Sequence, residues 1–536
     1  MITALLILSA VLLALAYRFY SPRIARLLGV DFSRPTPAHE LEDDVDYCPA
    51  KLPILFGHHF SSIAGAGPIV GPLIAVVYGW LPAVLWVLIG GIFVGAVHDF
   101  GALMASIRHG GRSMGAVMEA HLGRTGKRLF LTFLWAAMVL LVGAYLAIVA
   151  KTFSSVPAAA TASSCFIPLA LLFGVALYKL KLPVLPATLV GVILLAGCMV
   201  AGWFWPLAIS TGAWTGILIA YTVAASVLPV WLLLQPRDYL NSFLLYALLL
   251  LAIVGILAAR PATELPAFTG FFDSELGPLF PILFVTIACG AVSGYHSVVS
   301  GGTSAKQLDR EVDARPIGYG AMLVESLVAI IVIAVAMRLS AAEYSFEIAA
   351  EGPVALFANG IGHILSALHA GGSLATDFAA LAISAFILTT LDTATRLARF
   401  AFQEFFAPKE GEQATALTTN RYVATGITVA AAAGLAFSDG WKAIWPIFGA
   451  ANQLLAAFAF LAISLWLKSR AVKSRLFTIP MYFMFAVTVS ALVVLVWEKF
   501  SRGEILLGAI GALLLGLSGV LISEAVRASK GFRRPD

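Results

Sequence analysis

FGHHFSSIAGAGPIVGP, running from Phe56 to Pro72, decides how the chain must fold. It lies in an apolar segment long enough to cross a bilayer, yet it holds two adjacent histidines, two serines, four glycines and two prolines. A free backbone N–H or C=O costs several kcal/mol in lipid, so irregular chain survives at that depth only inside protein or around a cavity. A stretch of the same character, CGAVSGYHSVVSGGTS from Cys289 to Ser304, interrupts another apolar segment far along the chain. Two such breaks in separated parts of a polytopic chain point to a transport site near mid-membrane.

Working outward, the composition agrees. The 536 residues are 60% hydrophobic and 12% charged, whereas soluble chains carry about twice that charge fraction. An integral membrane protein follows. The net charge of +5 has to be read loop by loop and says nothing of nucleic acid. Cys48, Cys165, Cys198 and Cys289 stand far apart with no CxxC or metal spacing, and the last three, in apolar segments, are expected to pack. No P-loop, GxSxG or HExxH motif is present, which argues against an ATP-driven pump or a common hydrolase. No cofactor or metal is expected.

Residues 2–17 imitate a signal peptide, with Ala14-Leu15-Ala16 as a mock cleavage site. No positive charge precedes the apolar run, while Arg18, Arg23 and Arg26 follow it. A retained first helix with its N-terminus outside is expected.

At about 20 apolar residues per crossing, about fifteen spans are expected. They fall near 2–17, 54–77, 80–105, 128–150, 163–178, 184–203, 213–234, 241–258, 278–302, 317–339, 373–395, 421–437, 442–467, 477–498 and 503–524. This count puts every basic loop on one side (18–51, 105–128, 179–183, the Arg237 turn, 303–316, 396–421, 468–475 and the tail with Arg527, Lys530, Arg533 and Arg534). The alternate loops are uncharged or acid-leaning, as at Glu264, Asp273 and Glu275 and at Glu343, Glu347 and Glu351. The positive-inside rule then sets the N-terminus outside and the C-terminus in the cytoplasm. The count closes if 353–370 does not cross and forms an external or re-entrant piece. Spans two and nine carry the breaks and run in opposite directions, as an inverted repeat requires. The expected divisions are 1–50 (N-terminal helix and loop), 51–277 (first repeat with two inserted helices), 278–467 (second repeat) and 468–536 (two accessory helices and a basic tail).

The chain resembles the carbon starvation protein A (CstA) family of bacterial inner-membrane transporters. The resemblance is carried by FGHHFSSIAGAGPIVGP at 56–72, HDFGALMASIRHGGRS at 98–113, LLLQPRDYLNS at 232–242, CGAVSGYHSVVSGGTSAKQL at 289–308, LDTATRLARF at 391–400 and WPIFGAANQLLAAFAFL at 445–461. It implies an all-α, LeuT-like architecture and uptake of pyruvate or small peptides driven by protons, or by sodium. Many members of that family extend further at the C-terminal end.

Pro53 and Pro68 suit the first turns of two half-helices, with Ile63–Gly67 unwound between them. The helix N-terminus at Pro68 would attract a carboxylate. In the second break Ser293 or His296 could cap a half-helix starting near Ser297, giving a second such end. The substrate-binding candidates are His58, His59, Ser61, Ser62, Gly65 and Gly67 with Ser293, Gly294, His296 and Ser297. His58 and His59 point about 100° apart on a helix, so one faces the path and the other packs or bonds a neighbour.

Ionisable groups at membrane depth are candidate ion carriers. Gly91, Gly95 and Asp99 share a face whose small residues invite close contact, aiming Asp99 into the bundle; beside it stands His98, and the alternative for Asp99 is a pair with Arg108 or Arg112. Glu325 sits among aliphatic residues as a further proton carrier, or as a lock between two helices. Asp392 and Arg396, at i and i+4, are placed to pair with each other. In a LeuT-like architecture the Thr389, Thr390 and Thr393 cluster resembles a cation site beside the first break. Arg237 and Asp238, in a QPRDYL turn at the inner surface, read as a gate or structural pair. The amides of Asn452 and Gln453 need partners, either backbone freed by Pro446 or the cavity wall. A channel would need a recurring pore-lining series, which is absent; a membrane enzyme would need a facial ligand set, which adjacent histidines do not make.

Overall fold

The computed structural model describes residues 1–43, 47–229, 231–367, 372–407, 415–437 and 441–531. Parts of the expected 18–51 and 396–421 loops, Val230 of the seventh span, residues 368–370 and the tail arginines Arg533 and Arg534 lie outside them. The described chain is mostly helical, and its strand pairing is one antiparallel pair joining Phe272–Asp273 to Gly277–Pro278 and an isolated bridge between Ala50 and Leu308.

Among the described residues twelve helices are long and apolar enough to cross a membrane, thirteen where the bent pair Leu52–Ile63 with Gly67–Tyr78 is counted as one span. Each of the fifteen expected spans has a helix, but Thr211–Val227 and Arg421–Ala436 are short. The expected seventh span ends early, at Val227, and the eighth begins early, at Leu234. The segment expected not to cross is the helix Pro353–Ser366, with 14 residues. At 1.5 Å per residue it extends about 21 Å, less than the hydrocarbon thickness of about 30 Å.

Burial separates a centre from a perimeter. The apolar window of Ile444–Ser469 is 100% buried, while that of Val184–Phe204 is 17% buried. Exposed Leu185, Leu189, Ile193 and Phe204 on the latter suit lipid, which solvates them at no hydrophobic cost. Ile2–Leu28, Arg475–Ser501 and Ile505–Arg527 are also largely unburied.

The elements that position the site are α1 (Leu52–Ile63), α2 (Gly67–Ala75), α3 (Ala96–Arg108), α4 (Met114–Ser155, bent at Gly123), α5 (Leu234–Ala259), α6 (Leu279–Ile287), α7 (Gly294–Gly302), α8 (Ala321–Ala336), α9 (Gly372–Phe405) and α10 (Trp441–Ser469). Both α9 and α10 pack along α4, forming a wall. Against it lie the two broken helices, α1–α2 and α6–α7. Their pairing is head to tail: α2 packs on α6, α1 packs on α7, and α2 touches the link after α6. Two rods whose first and second halves meet in that crossed order are antiparallel.

Candidate functional site

Pro53 and Pro68 occupy the first turns of α1 and α2, where a missing N–H costs nothing, and the chain is unwound only over Ala64–Ala66. The bend between the halves is 42°. Glycine is required on its rim by proximity. A Cβ on Gly65 would lie 2.4 Å from Thr390 Oγ1, and one on Gly67 would lie 2.4 Å from Cys289 Cβ. The second contact joins the two breaks directly.

In the second break, Ala288 holds φ +42° and ψ −112°, a conformation rare for any residue with a Cβ. Two expectations are corrected here. First, α7 starts at Gly294, three residues before Ser297, whose hydroxyl turns back to the Gly294 carbonyl. Second, neither Ser293 nor His296 caps it; Asn452 Oδ1 on α10 accepts from the Tyr295 N–H at 2.9 Å, and Asn452 also bonds Ser293. Of the two expected anion-attracting ends, that of α7 is met by an amide of the protein, while α2 has no side-chain cap. The amides therefore answer backbone freed by the second break, not by Pro446, since Gln453 donates to the Phe284 carbonyl at 2.7 Å.

Four titratable side chains, none of them exposed to solvent, form one chain between α3, α7 and α8. His98 Nδ1 is 2.7 Å from Asp99 Oδ1, and Asp99 Oδ2 is 2.7 Å from His296 Nδ1. His296 Nε2 lies 3.3 Å from Glu325 Oε2 without hydrogen-bond geometry, and both Glu325 oxygens lack a hydrogen-bond partner. Asp99 thus points into the bundle, as its glycine face suggests: a Cβ on Gly95 would meet the Ala291 carbonyl and one on Gly91 the Ser326 hydroxyl. The alternative pairing with Arg108 is corrected, because Arg108 is held by Glu311 at 2.5 and 2.6 Å.

A second chain is built around Arg237. This residue and Asp238 lie near the start of α5, fully buried, and not in a surface turn. Arg237 donates to Asp392 on α9, to the Tyr221 hydroxyl at 2.5 Å and to Asp238 at 3.4 Å. Asp238 in turn holds α1: His58 Nδ1 is 3.1 Å from Oδ2, Ser62 donates to Oδ2 at 3.4 Å, and Ser61 donates to the Asp238 carbonyl at 3.0 Å. The expected Asp392–Arg396 pair is replaced: Asp392 faces α5, and Arg396 donates to the Leu228 carbonyl. His59 points elsewhere, to Ser304 at 2.7 Å, so the adjacent histidines diverge as expected.

The threonines divide. Thr390 reaches the first break, donating to the Ser62 carbonyl at 3.3 Å, whereas Thr389 accepts from Asn241 at 2.6 Å. The buried Thr393 hydroxyl has no hydrogen-bond partner among the described residues. Tyr221, Asn241, Ser304 and Cys289 were not among the expected site residues: no local pattern announces Tyr221 or Asn241, while Cys289 and Ser304 bound the second break but meet the first through Gly67 and His59, far off in sequence.

Cavities approach from both ends. One of about 690 Å³ is lined by Lys51 and Ile54 at the start of α1, Gly302 and Thr303 at the end of α7, and the bases Lys179, Lys181 and Arg396. Another, of about 670 Å³, meets Ile74 of α2 and Ile282 of α6 and carries Asp273, Glu275, Glu498 and Glu504 with Lys499 and Arg502. Because the broken helices are antiparallel, these are opposite faces. Neither cavity is lined by residues of the breaks themselves.

The fold is similar to a manganese transporter of Eremococcus coleocola, with a TM-score of 0.51, 11% identity, and coverage of 91% of this chain and 99% of that one. The chain is 32% identical to a Bacillus subtilis protein named peptide transporter CstA, over 98% of this chain and 96% of that one. It is 34% identical to the Escherichia coli protein of the same name, over 90% and 79%. It is also 32% identical to the Escherichia coli pyruvate/proton symporter BtsT, over 83% and 74%. The profile of Carbon starvation protein CstA matches residues 1–350 and 346–491, so the chain belongs to the CstA family.

Proposed function

We propose that the protein is a secondary transporter of the bacterial inner membrane that imports a small organic anion such as pyruvate, or short peptides, with protons by alternating access. The observation that carries this reading is the meeting of two antiparallel broken helices, the second of which carries His296 of a buried histidine–carboxylate chain, with a cavity approaching from either face. The fold is read as LeuT-like, with the acidic cavity outside, the basic one in the cytoplasm and the N-terminus outside. Lysines and Arg396 around the inner vestibule favour an anion entering or leaving. The uncapped end of α2, with Ser61, Ser62, Gly65 and His59 near it, supplies the anion-binding contacts. Protons load on the chain His98–Asp99–His296–Glu325. Arg237 and Asp238 tie α1 to α5 and α9 and act as a gate. One pH unit across the membrane is worth about 1.4 kcal/mol per proton, sufficient for tenfold accumulation at one proton per substrate.

The test is uptake into proteoliposomes of labelled pyruvate against a labelled dipeptide. Accumulation that an uncoupler collapses supports the reading. Loss on replacing sodium, with indifference to the uncoupler, moves the coupling ion to the Thr390 side of the first break.

A further inference from the structure

We infer that the second break holds a binding site for a thiophilic divalent transition-metal ion, of the zinc type, formed by Cys289, His296 and Glu325. One donor atom from each lies within 4.8 Å of the others, and all three residues are buried. The donors are free or weakly held. Among the described residues His296 Nε2 and both Glu325 oxygens have no hydrogen-bond partner, and the Cys289 sulfur makes two contacts, each 3.4 Å, with Ser293 and Asn452. Metal–ligand bonds of about 2.0–2.3 Å in a tetrahedron set donor separations of about 3.4–3.7 Å. The His296–Glu325 gap of 3.3 Å already has that size, and the longest separation must close by about 1 Å.

The surroundings of His296 are those a ligating histidine uses. Its other nitrogen, Nδ1, is 2.7 Å from Asp99 Oδ2, and Asp99 is fixed in turn by His98. A carboxylate holding Nδ1–H leaves the Nε2 lone pair aimed at the ion, the arrangement that orients metal-bound imidazoles. A thiolate, an imidazole and a carboxylate together suit zinc or cobalt better than magnesium or calcium, which take oxygen shells. Three protein ligands leave a fourth position open. Coordination breaks the Cys289 S–H bond; the sulfur keeps the electron pair for the metal and the proton is released to solvent. The cysteines' wide sequence spacing hides the site, since its ligands come from the strained link after α6, from α7 and from α8. Binding does not rest on the proposed transport reading. Its consequence does: an ion there ties the break to α8 and removes Glu325 from the proton chain, so it inhibits uptake.

The full chain, purified in detergent and stripped by a chelator, is titrated with Co²⁺ and, in competition, Zn²⁺. One equivalent is expected, with a thiolate-to-cobalt charge-transfer band that Zn²⁺ displaces. Cys289→Ser should abolish the band and weaken binding at least tenfold. Glu325→Gln should weaken binding while keeping the band, which covers the case of a Cys289 variant that does not fold. Asp99→Asn, acting through His296, should cost 10–100-fold, and His39→Ala at an exposed position should change nothing. No bound cobalt, or a band and affinity unchanged in Cys289→Ser and Glu325→Gln, overturns the site.

Discussion

Two buried charge chains, one joining α1 to α5 and α9 and the other joining α3, α7 and α8, use similar side chains for different ends. The Arg237 chain contains a guanidinium, a cation that no protein interior deprotonates, set against Asp392 and Asp238. The Asp99 chain contains two carboxyls and two histidines and no permanent cation. A buried charge left uncompensated costs several kcal/mol. The first chain sets one permanent cation against two carboxylates, with His58 on the far side of Asp238, and its salt bridges can lock helices together. The second balances only through the number of protons it holds. That difference separates a structural clasp from a proton carrier, where a count of buried ionisable residues would treat them alike.

The comparison breaks first at Arg237. Arg237→Met leaves Asp392 and Asp238 without their cation and should cost about 3–5 kcal/mol, read as a fall in the melting temperature of the purified protein; adding Asp392→Leu should recover much of it. A variant as stable as the parent would reduce the clasp to decoration. Next is the junction of the breaks. Gly67→Leu forces a side chain into space held by Cys289, and overpacking of this kind costs about 1–3 kcal/mol; uptake should be lost while the protein still reaches the membrane, and normal uptake would remove this contact from the transport cycle. Smaller again, Asn452→Ala removes the cap on α7 and should cost about 1 kcal/mol, with no effect expected if the Tyr295 N–H had another acceptor. Smallest in stability is Glu325→Gln, expected within about 1 kcal/mol of the parent because its oxygens make no hydrogen bond to lose. A large destabilisation there would make the second chain structural as well.

Much of the architecture was legible because the sequence contradicts itself locally. Glycine, proline and histidine inside apolar runs cannot be ordinary lipid-facing helix, and Pro53 and Pro68 mark the half-helix starts that the structure shows. The glycine ladder before Asp99 correctly aimed that carboxyl inward. What stayed hidden was pairing. Asp99 and His296 are 197 residues apart, and Arg237 and Asp392 are 155 apart, so no periodicity links them. Reasoning from i and i+4 spacing gave Asp392 to Arg396, because on an isolated helix that is the nearest cation. In a packed bundle the face turned towards α5 decides instead. The α7 cap was misplaced for the same reason: its acceptor sits on α10, where only tertiary packing brings it.

The most direct measurement imposes a pH difference of one unit on proteoliposomes and follows labelled pyruvate in the parent and in Glu325→Gln. The parent should concentrate pyruvate about tenfold, as one proton per anion allows, and lose the gradient with an uncoupler, while Glu325→Gln should exchange pyruvate across the membrane without concentrating it. Equal accumulation by both proteins would contradict a proton-carrying role for the chain that joins Glu325 to Asp99.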